Sequence, residues 1–517
     1  MGLTNWTPGP CNRKAIAGYL GHASIRAPAF VCYSRPGKTA IMRPATLRFM
    51  FFAMLGFPLY AAGAQASSPL DTYVRVSPRD ANYFELTDGS PYIPIGLNMI
   101  SPPAAATEEE SLHGLDGWLA SLSAQGGNYI RVWLSNPFWS VEHEKCGVYD
   151  EARARRIDRL LQMCRAHHIR VKMTLEHFRS IGGGPQPWAD NPLYNVVNGG
   201  PAESMADFFA GDASRQAFRK KIAWYGGRFG SQPIVYGWEL WNEVNAVTDG
   251  DYMDWTVVML PELHKTFPEN LAMQSLGSFD SPRARDDYRR LSTLPANDVA
   301  QVHRYLDLGA ELEVCKGPVD VLAADAVREV QSYNPRRPVL LAESGAVEPN
   351  HRGPSRYYRV DRAGTLLHDI LFAPFFAGAA GPGQVWHWDT YVAANNLWYH
   401  YARFAEVVRG LDPPAEAFRP SLLPHPRLRV YALKGHHTVL IWCRDSLNTW
   451  ESELKHGEKP DVLKQEIVDL GPVLRGAQPL AVRVYDPWAD RWSDSMLHDG
   501  TITLPAFSRS LVIRISL

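Results

Sequence analysis

Two segments of this chain end in carboxylates where a buried strand would ordinarily stay apolar. In YGWELWNEVN (236–245) an aromatic and aliphatic run reaches Asn242 and Glu243; in RPVLLAESGA (337–346) the apolar stretch 339–342 stops at Glu343. Two carboxyl groups, one protonated and one ionised, are the minimal equipment for breaking a glycosidic bond. Keeping a carboxylate buried without a partner is costly, so strand ends of this kind point to chemistry rather than packing. Side chains alternate along a strand. Glu239, Trp241 and Glu243 are therefore expected to share one orientation, with Glu239 deeper and paired and Glu243 alone at the mouth. Glu176 and Glu348 are rival carboxylates.

The elements that must hold these residues follow from hydrophobic periodicity. Strands are predicted at 92–99, 128–134, 169–177, 234–243, 271–277, 299–305, 338–344 and 383–391. Helices are predicted at 109–124, 151–167, 214–229, 252–265, 283–291, 319–332, 361–374 and 396–410; Ile157, Leu160, Leu161 and Cys164 show the spacing. Eight alternating β-α units predict an α/β fold, a (β/α)8 TIM barrel, whose active site lies at the strand C-termini. A hairpin with Asp88-Gly89 as its turn precedes the first strand. The longest insertion, 178–212, follows the third strand and carries Trp188, Tyr194 and Phe208, which suits a substrate-shaping loop. From 413 onward, segments such as HTVLIWCRD (437–445) and SLVIRISL (510–517) alternate apolar and polar residues and predict a small antiparallel β-sandwich. The expected division is 67–412 for the barrel and 413–517 for the sandwich.

With those strands in place the chain resembles the clan A retaining glycoside hydrolases, family 5 (cellulase- and mannanase-like) in particular, over about 83–410. The resemblance rests on Asn242-Glu243 at the end of the fourth strand and Glu343 on the seventh. It extends to Arg131 in NYIRVW, His303 and Tyr305 in QVHRY, and Trp386 in QVWHWDTY. It implies Glu243 as acid/base and Glu343 as nucleophile, supported by Arg131, Asn242, His303 and Tyr305. Trp386 would lie beneath the sugar, with Trp388 an alternative on the same strand parity. Asn98, His177 and Asp389 point to the same mouth and are expected to touch substrate. Phe138, Trp139, Trp188 and Trp398 are candidate subsite aromatics. Val244 follows Asn242-Glu243 where many relatives have proline, and Ser-Gly-Ala follows Glu343, so the sugar does not transfer from the family. The expected reaction is hydrolysis of an O-glycosidic bond, β-linked on the resemblance, by double displacement. No cofactor or metal is implied. A non-catalytic glycan-binding barrel and a transglycosylase are the alternatives.

Composition agrees. The 517 residues are 45% hydrophobic and 21% charged, as in globular proteins, with 16 Trp, 22 Tyr and 20 Phe. The formal charge is −1, yet residues 1–66 hold seven Lys/Arg and no acid, leaving 46 basic against 54 acidic residues and a net of −8 in 67–517. A mildly acidic body argues against a nucleic-acid partner; the expected partner is an oligo- or polysaccharide. Arg43 and Arg48, an apolar run 49–62 and Ala64-Gln65-Ala66 read as a signal peptide cleaved after Ala66, with Met42 as the expected true start. The run is too short for a comfortable membrane span, so an exported protein, periplasmic or extracellular, without stable membrane insertion is expected. Among the four cysteines beyond it, Cys146 and Cys164 are the nearest pair for a disulfide, and a zinc site is not expected.

Overall fold

The computed structural model describes residues 70–183, 192–247 and 249–517. The signal-peptide reading of 1–66 and the Trp188 subsite lie outside these residues. Seven parallel strands are regular: β1 (Gly96–Asn98), β2 (Tyr129–Trp133), β3 (Arg170–Glu176), β4 (Val235–Trp241), β5 (Leu271–Met273), β6 (Ala300–Leu306) and β7 (Val339–Ala346). β1 to β5 form one parallel sheet in sequence order, and β6 pairs with β7. Backbone hydrogen bonds carry the ring across the gaps. Asp298 N donates to Ala272 O at 2.9 Å, Ser344 N to Gln384 O at 3.0 Å and Asn98 N to Val385 O at 3.0 Å. The eighth wall is thus the extended segment 383–386, bridged to β7 through Ser344 and Val385. Instead of continuing to 391 as predicted, it gives way to a π-helix, Trp388–Ala393.

Helices follow the strands: α1 (Glu108–Ala124), α2 (Glu151–Ala166), α3 (Asp212–Phe229), α4 (Tyr252–Thr266), α5 (Arg285–Thr293), α6 (Val319–Ser332), α7 (Thr365–Phe376) and α8 (Tyr399–Val408). α1 begins at a capping box, Thr107 with Glu110, and α2 at Asp150, whose side chain accepts from Ala152 N. The apolar stripe of α2 predicted from sequence is the face it buries. At the N-terminal end of the ring a hairpin packs as a plug: Phe84, Tyr92 and Tyr129 gather round Tyr236 with centroids 5.5, 6.2 and 5.1 Å away. Gly89, at φ +89°, makes its turn.

Beyond α8 lies an antiparallel sheet of six strands, in the order 419–423, 428–434, 438–445, 510–516, 481–486, 491–495, with a two-stranded ribbon, 467–469 and 501–503. Strand alternation gives the sheet two apolar faces. Val430, Ile441 and Ile513 pack with Val468 and Ile502 of the ribbon, while Tyr431, Trp442 and Val512 join the core of the barrel. Trp442 meets Phe372 and Phe376 of α7 at 5.8 and 6.1 Å. Buried ion pairs fix that seam: Arg444 to Asp369 at 2.8 Å and Arg429 to Asp320 at 2.5 Å. Cys146, Cys164, Cys315 and Cys443 are free thiols, so the nearest pair is not joined.

Candidate active site

The strand C-termini open into a cavity of about 1040 Å³ lined by Glu243, Glu343, Tyr305, Trp133, Trp386 and Trp388, with Asp280, His351 and Asp389 at its rim. One oxygen of Glu243, one of Glu343 and a ring nitrogen of His303 all lie within 4.8 Å of one another. Carboxylates this close belong to the retaining arrangement, in which one attacks the sugar directly; inverting enzymes keep theirs about 6.5–9.5 Å apart to admit a water.

The backbone aims both. β4 ends at Trp241, and Glu243 adopts a left-handed turn, φ 52° and ψ 54°, with its amide on Ser275 Oγ at 3.1 Å. Such a conformation costs a non-glycine residue roughly 1–2 kcal/mol, and strain of this kind concentrates at functional sites. The alternation predicted for 239–243 is not kept. Glu239 faces Arg131 inside the ring, whereas Trp241 packs among Phe208, Phe218 and Trp255 of the surrounding helices. The register of β6 and β7 shifts between Leu341 and Glu343, a bulge of the sort that re-aims a side chain beside a site.

Arg131, fully buried, holds the floor together. It donates to Glu239 at 2.6 Å, to Glu343 at 2.8 Å and to Asn98 Oδ1 at 3.3 Å, and also to Asn242 Oδ1. Tyr305 donates to the other oxygen of Glu343 at 2.5 Å. Burial alone would raise Glu239, but Arg131 and Lys172 reverse this and hold it at about 2. Burial pushes Glu243 up to about 7. It raises Glu343 as well, against the pull of His303, Arg131 and Tyr305. Two carboxylates this close resist joint ionisation. Glu343 has a guanidinium and a phenol bonded to it, so it gives up its proton first and Glu243 retains one. Burial lowers His303 to about 4, so its 2.9 Å contact with Glu243 joins neutral groups. Glu243, His303 and Glu343 are spaced as cation ligands would be, but the guanidinium of Arg131 already supplies positive charge there.

Several sequence-predicted residues lie elsewhere. Asn98 is fully buried, its amide shared among the carbonyls of Ala342, Gln384 and Val385; it braces Arg131 and does not face substrate. His177 is equally buried, stacked on Trp133 at 5.1 Å and bonded to Ser135, beneath the wall of the cavity. Asn242 is buried with Nδ2 unmatched by any protein acceptor among the described residues. Trp386, Trp388 and Asp389 do line the cavity, Trp386 against Trp133 at 4.9 Å. Because 388 begins the π-helix, strand parity is not what brings Trp388 there. Trp139 and Trp398 are core residues and Phe138 lies under Arg156, none of them on the cavity. Glu348 pairs with Arg356 outside it. Missed from sequence were Trp133, two residues beyond Arg131 in the same motif, and Phe178, Asp280 and His351, which lie on loops without periodicity.

No family model matches the chain. It is 23% identical over 317 residues to mannan endo-1,4-beta-mannosidase 2 of Arabidopsis thaliana, covering 54% of this chain and 71% of that one. A sequence of Oryza sativa subsp. japonica, likewise named for mannan endo-1,4-beta-mannosidase, is 25% identical over 301 residues; the match spans 51% of this chain and 59% of that relative. A glycoside hydrolase family 5 structure from Bacteroides vulgatus superposes with a TM-score of 0.51 at 11% identity, over 86% of this chain and 93% of that one, and supports the barrel fold. Fold, paired glutamates and these likenesses define a glycosidase. The chain resembles the clan A retaining glycoside hydrolases, and within them family 5.

Proposed function

We propose that this protein hydrolyses β-linked glycans by double displacement, with β-1,4-mannan the first substrate to try. The observation that carries the reading is the two glutamates within 4.8 Å in one aromatic-lined cavity, each with different partners. Glu343, bonded by Arg131 and Tyr305, attacks the anomeric carbon while Glu243 protonates the departing oxygen. A glycosyl ester forms as the glycosidic bond breaks. Glu243, now a base, takes a proton from water, which displaces Glu343 and restores both groups. The free Nδ2 of Asn242 suits a sugar hydroxyl, and Trp386 and Trp388 suit the apolar face of a ring; Asp389 would take hydroxyls at the rim. The mannan assignment rests on the plant relatives. The same reading takes 67–412 as a catalytic unit and 413–517 as a small β-sandwich docked on it. The 43–66 pattern supports export.

Activity on galactomannan, mannohexaose and para-nitrophenyl β-glycosides tests this. Glu343→Gln is expected to lose at least about a thousandfold in kcat, about 4 kcal/mol of barrel-mouth chemistry. With azide added, Glu343→Ala should yield the α-glycosyl azide and Glu243→Ala the β-azide. Near-normal turnover by Glu343→Gln would remove the assignment.

A further inference from the structure

We propose that His351 is a positioning residue of this active site: clamped at the cavity rim between Asp280 and Asp307, it shares the cavity with Glu243 and braces the ring of Tyr305. The inference rests on the glycosidase reading, since it concerns that reaction's acid.

His351 sits at the tip of a hairpin closed by the bridge between Val347 and Pro354 and by Glu348 N on Gly353 O at 2.9 Å. Asn350 and His351 are consecutive non-glycine residues at φ 61° and 54°, a costly arrangement. Asp307, buried at the end of β6, holds it by accepting both amides, at 2.9 and 3.2 Å. A Cβ on Gly309 would come within 2.5 Å of Asn350 N, so the two turns lie flush. The tip is therefore built to one shape. It presents the imidazole with Nε2 3.7 Å from Asp280 and 3.7 Å from Asp307, and sets the ring edge-on to Tyr305 at 5.1 Å. Tyr305 is the residue bonded to Glu343.

The charges facing His351 come from several elements: Asp280 after β5, Asp307 and Tyr305 from β6, Glu243 after β4, and His387 beyond the eighth wall. Arg352 follows it on the hairpin. Burial weakens His351 as a base, but Asp280, Glu243 and Asp307 more than reverse this and leave it raised. In turn, burial raises Glu243, and His351 opposes that rise ahead of every other charged neighbour. The sign follows. His351 lowers Glu243, so removing it lets Glu243 hold its proton to higher pH, and the alkaline limb of activity moves up.

The test is the pH profile of kcat/KM on whichever glycan the wild-type protein cleaves, with His351→Gln, His351→Lys and Asp280→Asn, and a thermal melt to establish folding. An opposite charge near a carboxyl shifts it by about one unit or more, less where solvent screens it. His351→Gln should raise the alkaline limb by about half a unit. His351→Lys, which places a lasting positive charge there, should hold it at or below the wild-type position. Asp280→Asn removes an anion that itself raises Glu243 while it loosens the clamp on His351, so the two effects oppose and its shift should be smaller than that of Gln. Coincident limbs for wild type and Gln, or equal shifts for Gln and Lys, would overturn the proposal. If Glu343→Gln is inactive while the limbs coincide, only the role of His351 falls; if Glu343→Gln stays active, the glycosidase reading falls with it.

Discussion

Glu176 ends β3 and Glu243 lies just beyond the end of the neighbouring β4, both withdrawn from water, and they differ in what faces them. Glu176 accepts from Arg179 Nε at 2.6 Å, from the Lys221 ammonium at 3.3 Å and from the amide of His177 at 3.0 Å; Lys221 continues to Glu142 at 3.2 Å. Burial alone would raise Glu176, but these cations hold it far below the ordinary carboxylate range. Glu243 has only the neutral ring of His303 within bonding distance of its carboxyl among the described residues, and burial takes it up to about 7. Desolvation penalises the charged form in both places. The nearby cation decides whether a structural ion pair or an acid results. Arg131 serves a carboxylate of each region, since it settles Glu239 as an anion and meets Glu343 at the edge of the cavity.

The comparison can be broken most severely at Arg131. Arg131→Met leaves Glu239 and Glu343 without their shared countercharge and should cost about 3–5 kcal/mol, read as a lower denaturant midpoint, with activity lost. Lys221→Met strikes the other cluster. Glu176 keeps Arg179, so a smaller loss of about 1–3 kcal/mol is expected, and the alkaline limb of activity should not move. A moved limb would mean that the two clusters are not independent. The finest test uses pH. A carboxyl raised from 4.5 to about 7 binds its proton more tightly folded than unfolded, so rising pH between those values costs stability. Glu176 is lowered, and its contribution is present above its unfolded value and lost as pH falls through its folded one. Glu243→Gln should therefore be more stable than wild type at pH 8 by about 1 kcal/mol or more, with no gain at pH 4. Equal melts at both pH values would show that Glu243 is not held protonated by the fold.

Much of this was legible in the residues. The helix stripes match those of the structure to within a few residues, because amphipathic periodicity and caps such as Thr107 and Asp150 are local properties. Seven strands stand where apolar runs place them. The pair Glu243 and Glu343 was readable because a charged residue ending an apolar strand contradicts packing, whereas Arg131, His303 and Tyr305 came from the resemblance to the retaining glycosidases. Asn98 and His177 have the same look, yet they turn beneath the floor and wall to satisfy backbone carbonyls and a serine. No spacing rule distinguishes a polar residue that braces the site from one that faces the cavity.

Sequence by itself thus settled most of the helices, seven of the strands and which residue types could carry acid chemistry, since period, propensity and the cost of a buried carboxylate are written locally. Tertiary structure decided the rest. It placed residues a hundred positions apart within 4.8 Å, turned Glu243 into a left-handed conformation, ended the eighth wall at a π-helix and carried His351 to the rim on a strained hairpin. Proton affinity depends on distance to other charges and to water, and those distances exist only once the ring has closed.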